Sequence, residues 1–125
     1  MDLARIRSDP HVGPISRVPP LFDIHANRSE GFATAFEELT MQAGLYDDVP
    51  YGRELVHIML ASRAARGLAC VYVQANQMGQ AAAGKFHASW TPRHWSDLNS
   101  RLVGFEQLHY SRQPGYGPSY ILGKI

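Results

Sequence analysis

Six histidines and a small number of carboxylates are the residues whose chemistry could support a metal site in this sequence. A helical zinc site commonly uses two histidines four residues apart with a glutamate after the first, because that spacing places both imidazoles on one helix face. No histidine here is followed by glutamate, and no two are four residues apart. Taken singly, each histidine is therefore expected to be structural or solvent-exposed rather than a ligand.

Two glutamates, Glu30 and Glu37, lie seven residues apart and would share one face of a helix. Glu30 has two interpretations: a first-turn carboxylate that favours the helix dipole, or a metal ligand or general base. Spacing alone favours the first interpretation. His25 lies five residues before Glu30, about 140° around a helix, which argues against a local zinc pair. Glu38 is expected to be solvated.

The segment 114–124 combines Tyr116, Tyr120 and Lys124 with the glycines at 115 and 117. Glycines permit close backbone approach, and tyrosine or lysine donors can stabilise an oxyanion. The alternative is a rigid turn with its tyrosines packed on the core. The sequence leaves both interpretations open.

A helix that begins near Ser29 must position the glutamates, with Ser29 or Asn27 as its cap. Apolar residues recur along it at helical spacing and form one stripe. They are Phe32, Phe36, Leu39 and Ala43. A second helix is predicted over about 50–77, with Asp48 as its cap and Pro50 just inside.

The second helix is apolar on most sides, which is typical of a central helix covered by neighbours. Gly67 within it indicates close packing against another helix. Arg28, Arg53, Arg63 and Arg66 are expected to pair with acids or to solvate a face.

Shorter helices follow. They are predicted over 80–89, after a Ser96 cap (with Leu98, Leu102 and Phe105), and from Tyr120 after a Ser119 cap. No strand-like alternation or internal repeat is visible. The sequence predicts an all-α, helical bundle-like domain over 28–125, preceded by an extended Pro-rich arm over 1–27 that contains Pro10, Pro14, Pro19 and Pro20.

Composition narrows the function classes. Twelve basic against eleven acidic residues give a formal charge of +1, and the basic residues are scattered, which argues against nucleic-acid binding. The single cysteine, Cys70, excludes an internal disulfide and is expected to be a buried small hydrophobe. We find neither a signal-peptide pattern at the start nor a run of about 20 apolar residues, so we expect no membrane partner and a cytoplasmic location.

Three stretches of the sequence carry a family pattern. They are Arg28-Ser29-Glu30-Gly31-Phe32-Ala33 running on to Gln42-Ala43-Gly44-Leu45-Tyr46-Asp47-Asp48, then Arg63-Ala64-Ala65-Arg66, then Gln113-Pro114-Gly115-Tyr116-Gly117-Pro118-Ser119-Tyr120. Together they resemble the C-terminal part of domain-of-unknown-function family 885, zincin-like helical metallopeptidase relatives. Phe32 stands where the family pattern Glu-Gly-Trp-Ala has tryptophan. The resemblance covers roughly residues 20 to 125.

The resemblance implies that Glu30 is the third zinc ligand of such a peptidase and that Tyr120 is an oxyanion donor. It also implies a His-Glu-x-x-His helix upstream of residue 1 and a helical extension after Lys124, neither of which this sequence contains. We therefore predict a truncated member of the family that does not bind zinc or catalyse alone. In a complete protein, zinc would support hydrolysis of a peptide substrate.

There are two alternatives, of which the first belongs to a different class. The first is a non-catalytic helical interaction or oligomerisation domain that forms a homo-oligomer through its apolar faces. The second is complementation, in which a separate chain brings the two histidines.

Overall fold

A computed structural model describes residues 8–11 and 24–125 of the protein. Its helices are α1 (Ile24–Gln42), α2 (Gly52–Gln74), α3 (Gln80–Trp90), α4 (Arg101–Arg112) and α5 (Tyr116–Leu122), with a 3₁₀ turn at Pro92–His94. The described residues contain no strand, which confirms the all-α prediction. Most of the predicted Pro-rich arm lies outside the described residues.

The longest helix, α2, is the centre of the fold. It packs most extensively against α5 and α3 and also contacts α4 and α1, while α5 lies against both α1 and α2. The buried face of α2 includes Val56, Ile58, Ala65 and Ala69, as expected for a central helix. Cys70 is buried on the same helix, which confirms its predicted environment.

By length and composition alone, α2 would also be apolar enough to cross a membrane. This is weak evidence, because the core helix of a bundle passes the same test and α2 is partly buried by its neighbours.

The predicted starts of the first two helices are wrong. Helix α1 begins at Ile24 instead of near Ser29, and the Ser29 hydroxyl lies within the helix, 3.5 Å from the Ala26 carbonyl oxygen. Helix α2 begins only after Tyr51, whose φ of 62° is left-handed, so Asp48 and Pro50 belong to the preceding turn. The left-handed backbone of Tyr51 therefore sets the start of α2, in place of the side-chain cap at Asp48 that the sequence predicted.

Helices α4 and α5 also start at residues other than those predicted. Ser100, not Ser96, caps α4, because its Oγ accepts a hydrogen bond from the Val103 amide at 3.2 Å. Helix α5 begins at Tyr116, directly after Gly115 with a φ of 84°. Ser119 is consequently a buried residue within α5, and its hydroxyl donates to the Tyr116 carbonyl oxygen. The predicted 80–89 helix is confirmed as α3.

Two glycine contacts allow α5 to pack unusually close to its neighbours. A Cβ on Gly31 of α1 would lie 2.1 Å from the Gly123 carbonyl carbon just after α5, and a Cβ on Gly123 would lie 1.7 Å from the Asn27 carbonyl oxygen. A Cβ on Gly67 of α2 would lie 3.1 Å from the Gly117 carbonyl oxygen, which confirms the predicted close packing at Gly67.

We expect Gly31→Ala to lower the free energy of unfolding by about 1–3 kcal/mol, because the added methyl group meets backbone that cannot move aside. Gly104→Ala in α4 is the matched control, since no heavy atom lies within 4 Å of its added Cβ. That variant should gain about 0.5–1 kcal/mol from helix propensity. Urea unfolding followed by circular dichroism measures both, and equal effects would contradict the packing argument.

Candidate functional site

Helices α1 and α5 bring three of the polar side chains singled out in the sequence into one cluster, which we call the Glu30–tyrosine cluster (Glu30, Tyr116 and Tyr120). The Tyr116 hydroxyl donates to Glu30 Oε1 at 2.7 Å, and the Tyr120 hydroxyl donates to Tyr116 Oη at 3.3 Å. The two rings pack edge to face with centroids 5.7 Å apart. Tyr120 therefore reaches Glu30 only through Tyr116.

Tyr116 is held in its protonated form. Burial, followed by its hydrogen bonds with Tyr120 and Glu30, raises the pKa of Tyr116 well above its ordinary value of 10. The phenol hydrogen is thus retained at physiological pH, and Tyr116 acts as a neutral donor to the Glu30 carboxylate.

Two arginines of α2 border the cluster. Arg63 donates through both terminal nitrogens to the Glu37 carboxylate, with Nη2 2.9 Å from Oε1, and this contact raises the pKa of Arg63 despite its burial. Arg66 donates to Glu106 Oε1 at 2.7 Å. Their guanidinium carbons lie 5.8 and 4.6 Å from the centre of the Tyr120 ring. The prediction that these arginines pair with acids is confirmed.

Glu30 differs from the other acids of this region in its partner. Glu37 and Glu106 each have an arginine, whereas Glu30 accepts from a neutral hydroxyl, and no described cationic side chain lies within 4.0 Å of its carboxylate. Glu30 lies close enough to Arg63 for their charges to attract, although the two side chains form no ion pair. Of the three acids, Glu30 is therefore the one without a direct cationic partner among the described residues.

Two other expectations for this region have clear outcomes. Glu30 and Glu37 do lie on one side of α1, toward α5 and α2. Glu38, expected to be solvated, instead forms an ion pair with Lys124 and is mostly buried. Lys124 is thereby separated from the two tyrosines with which the sequence grouped it.

Metal donors are sparse around Glu30. Across residues 8–11 and 24–125, no group of three or more histidine, cysteine or acidic side chains is arranged to hold a metal ion. Among the histidines, His109 of α4 packs edge to face on Tyr116 with ring centres 5.2 Å apart.

A second polar cluster, formed by Ser62, His87 and Ser96, lies in the core between α2, α3 and the segment after the 3₁₀ turn. His87 is 2% exposed, and its Nε2 lies 3.0 Å from Ser62 Oγ and 3.1 Å from Ser96 Oγ. The sequence gives no local signal for this cluster, because His87 and Ser96 follow Ser62 by 25 and 34 positions.

Contact between a serine and a histidine can activate a nucleophile, but the surroundings of His87 oppose this role. Its Nδ1 is 3.8 Å from Glu106 Oε2, beyond hydrogen-bond distance, and Arg66 is the partner of Glu106. Desolvation, followed by the positive charge of Arg66, lowers the pKa of His87 to about 4. A neutral, weakly basic imidazole between two buried hydroxyls is a core hydrogen-bond network.

The burial of neutral His87 predicts a specific pH dependence of stability. Because its folded pKa lies below its unfolded value of 6.5, the stabilisation is complete above pH 6.5 and is lost as the pH falls toward 4. The loss attributable to His87 should be about 3 kcal/mol by pH 4. Urea unfolding of wild type and His87→Gln should therefore converge on acidification. His57→Gln, which alters an exposed histidine, should track wild type, and wild-type and His87→Gln curves that stay parallel would contradict the prediction.

The Tyr116–Glu30 hydrogen bond predicts energetic coupling between the two residues. A double-mutant cycle of Tyr116→Phe and Glu30→Gln should give a coupling free energy of about 1–2 kcal/mol, because one partner is ionised. The control cycle pairs Tyr116→Phe with Glu54→Gln, whose carboxylate contacts Arg93, and should be additive within about 0.5 kcal/mol. Additivity in both cycles would mean that the bond does not contribute.

Comparisons of the chain with protein-family models, curated proteins and solved structures give no match. The contacts of the Glu30–tyrosine cluster are therefore the basis for a functional proposal.

Proposed function

We propose that this chain is part of a zinc peptidase-like protein and that the Glu30 carboxylate is one ligand of its catalytic zinc ion. The observation that carries the proposal is that no described cationic side chain lies within 4.0 Å of the Glu30 carboxylate. Its neighbours Glu37 and Glu106 each form an ion pair with an arginine, whereas the hydrogen bond described for Glu30 comes from the neutral Tyr116 hydroxyl. The family resemblance of residues 28–33 and 113–120 supports the same residue.

Tyr116 is proposed to orient the ligand. Outer hydrogen-bond partners fix the rotamer of a metal-binding side chain and raise its effectiveness as a ligand. Tyr116 donates to Oε1 of Glu30, and no described group donates to Oε2, so the second oxygen is free to bind a cation. Since Tyr116 stays protonated, this orientation persists over the physiological pH range.

Tyr120 is proposed to donate a hydrogen bond to the carbonyl oxygen of a peptide substrate. Its hydroxyl hydrogen points to Tyr116 Oη at 3.3 Å, a long contact that rotation about the phenolic C–O bond can exchange for another acceptor. The two arginines packed on the Tyr120 ring hold the side chain in place. Tyr120 is thus proposed as the catalytic residue and Tyr116 as a positioning residue.

A single carboxylate does not fit the whole requirement of a catalytic zinc site, which usually takes three protein ligands and a water. Zinc in such a site acts as a Lewis acid and lowers the pKa of its bound water. We therefore propose peptide hydrolysis only for the protein completed by two histidines, supplied by a further segment or by a complementing chain. Alone, this chain is proposed to hold no zinc.

A second candidate function is a non-catalytic helical interaction domain. It is favoured by large apolar side chains that remain exposed on two helices. They are Phe32, Phe36 and Leu39 on α1 and Leu102, Phe105 and Leu108 on α4. Such faces are common at protein–protein contacts, and they require no metal.

Metal analysis of tagged protein isolated from its native source, alone and with its co-purifying partner chain, tests the proposal. We expect about one zinc ion per complex and less than about one tenth in the chain alone. Glu30→Gln should remove zinc from the complex without dissociating it. Glu38→Gln is the matched control, because Glu38 lies on the same helix but contacts Lys124, and it should retain zinc. Complexes without zinc, or zinc that survives Glu30→Gln, would contradict the ligand assignment and favour the interaction domain.

A further inference from the structure

Helix α1 presents one apolar face to solvent. Phe32, Phe36 and Leu39 are 68%, 56% and 61% exposed, and the two phenylalanine rings stack with centres 6.1 Å apart. The opposite face is the one that packs, with Thr34 and Met41 buried. The exposed face, which we call the α1 stripe, consists of Arg28, Phe32, Phe36 and Leu39 on α1 and Ala43 directly after it.

The spacing of the stripe is that of a coiled-coil seam. Its apolar members follow one another at intervals of four, three and four residues, the alternation of a and d positions in a heptad. The pattern is also nearly symmetric about its middle. In an antiparallel pair of α1 helices, Phe32 lies opposite Leu39 of the second copy and Phe36 lies beside the two-fold axis. The stripe is therefore self-complementary, as an isologous interface requires.

Charges at the ends of α1 favour the same pairing. The helix carries no acidic residue in its first turn and no basic residue in its last turn. Exposed Arg28 lies in the second turn of α1 and places a positive charge at one end of the stripe. Antiparallel pairing moves each Arg28 next to the last turn of the second copy, beside exposed Gln42, where a cation is favourable.

From these observations we propose that two copies of this chain associate through antiparallel packing of their α1 stripes. The three large side chains expose on the order of 400 Å² per protomer, taking roughly 200 Å² for each whole side chain. Two such faces bury about 800 Å² in total, below the roughly 1,200 Å² at which stable specific interfaces begin, so the dimer is weak and transient and its dissociation constant is expected to be no tighter than micromolar.

The dimer does not compete with the Glu30–tyrosine cluster. Glu30 lies about 160° around α1 from Phe32, on the side covered by α5. Zinc content and dimerisation are therefore independent, and failure of one proposal leaves the other intact.

Sedimentation equilibrium of the full chain between about 5 and 500 µM tests the interface, since this range brackets a micromolar dissociation constant. Wild type should shift from monomer to dimer, and Phe36→Glu should weaken association at least about tenfold. Leu108→Glu is the matched control: it puts the same charge on the α4 apolar face at a residue 51% exposed, and it should leave the dimer unchanged. A wild-type monomer at the highest concentration, or equal effects of both variants, would overturn the proposal.

The antiparallel orientation has its own test. Arg28→Glu should weaken the dimer about threefold to tenfold, and adding Gln42→Lys should restore it, because residues 28 and 42 meet only between copies. Within one chain they are about 21 Å apart along α1. Arg28 is exposed in the second turn of α1, and Gln42→Lys improves the match of the last turn to the helix dipole, so lost association would not reflect unfolding of α1. If the double variant stays as weak as Arg28→Glu alone, the antiparallel arrangement is wrong.

Discussion

The close approach of α5 to α1 and α2 is the constraint on which the rest of the structure depends. Glycines occupy the contact points on both sides, at Gly31 against Gly123 and at Gly67 against Gly117, so backbone meets backbone. This spacing brings the Tyr116 hydroxyl within 2.7 Å of Glu30, residues 86 positions apart in the chain. A methyl group at Gly31 would push α5 outward and separate the hydroxyl from its acceptor. The polar cluster is thus a consequence of backbone packing.

The local pattern predicted which segments are helical and where α3 begins, but not where the other helices begin. Helical periodicity located α2 and its buried face, since a helix apolar on most sides has few other stable environments. The starts differ because backbone conformation replaces side-chain capping: Tyr51 and Gly115 adopt positive φ immediately before α2 and α5. Serine is a common helix cap, yet Ser119 lies inside α5. Its hydroxyl there donates a hydrogen bond to the Tyr116 carbonyl oxygen, one turn back.

The sequence predicted which residues form the candidate site, but not which of them are hydrogen-bonded to each other. Spacing placed Glu30 and Glu37 on one helix face, and the segment 114–124 grouped Tyr116 with Tyr120. Which tyrosine contacts Glu30 depends on where α5 begins. Because the predicted start of α5 was four residues too late, the role of Tyr116 was not predicted. The Ser62, His87 and Ser96 network gave no local signal at all, because tertiary packing alone joins its three members.

Helix α1 has a polar face and an apolar face, and the contacts of the polar face determine where the apolar face points. Toward α5 and α2 it places acids whose partners lie on those helices: Tyr116 for Glu30 and Arg63 for Glu37. These directional bonds fix the rotation of α1 about its axis, because turning the helix to bury Phe32 and Phe36 would remove both carboxylates from their donors and leave Arg63 unpaired at a partly buried site. The polar contacts therefore hold the α1 stripe on the solvent side of the helix. Burying the stripe requires a second protein surface.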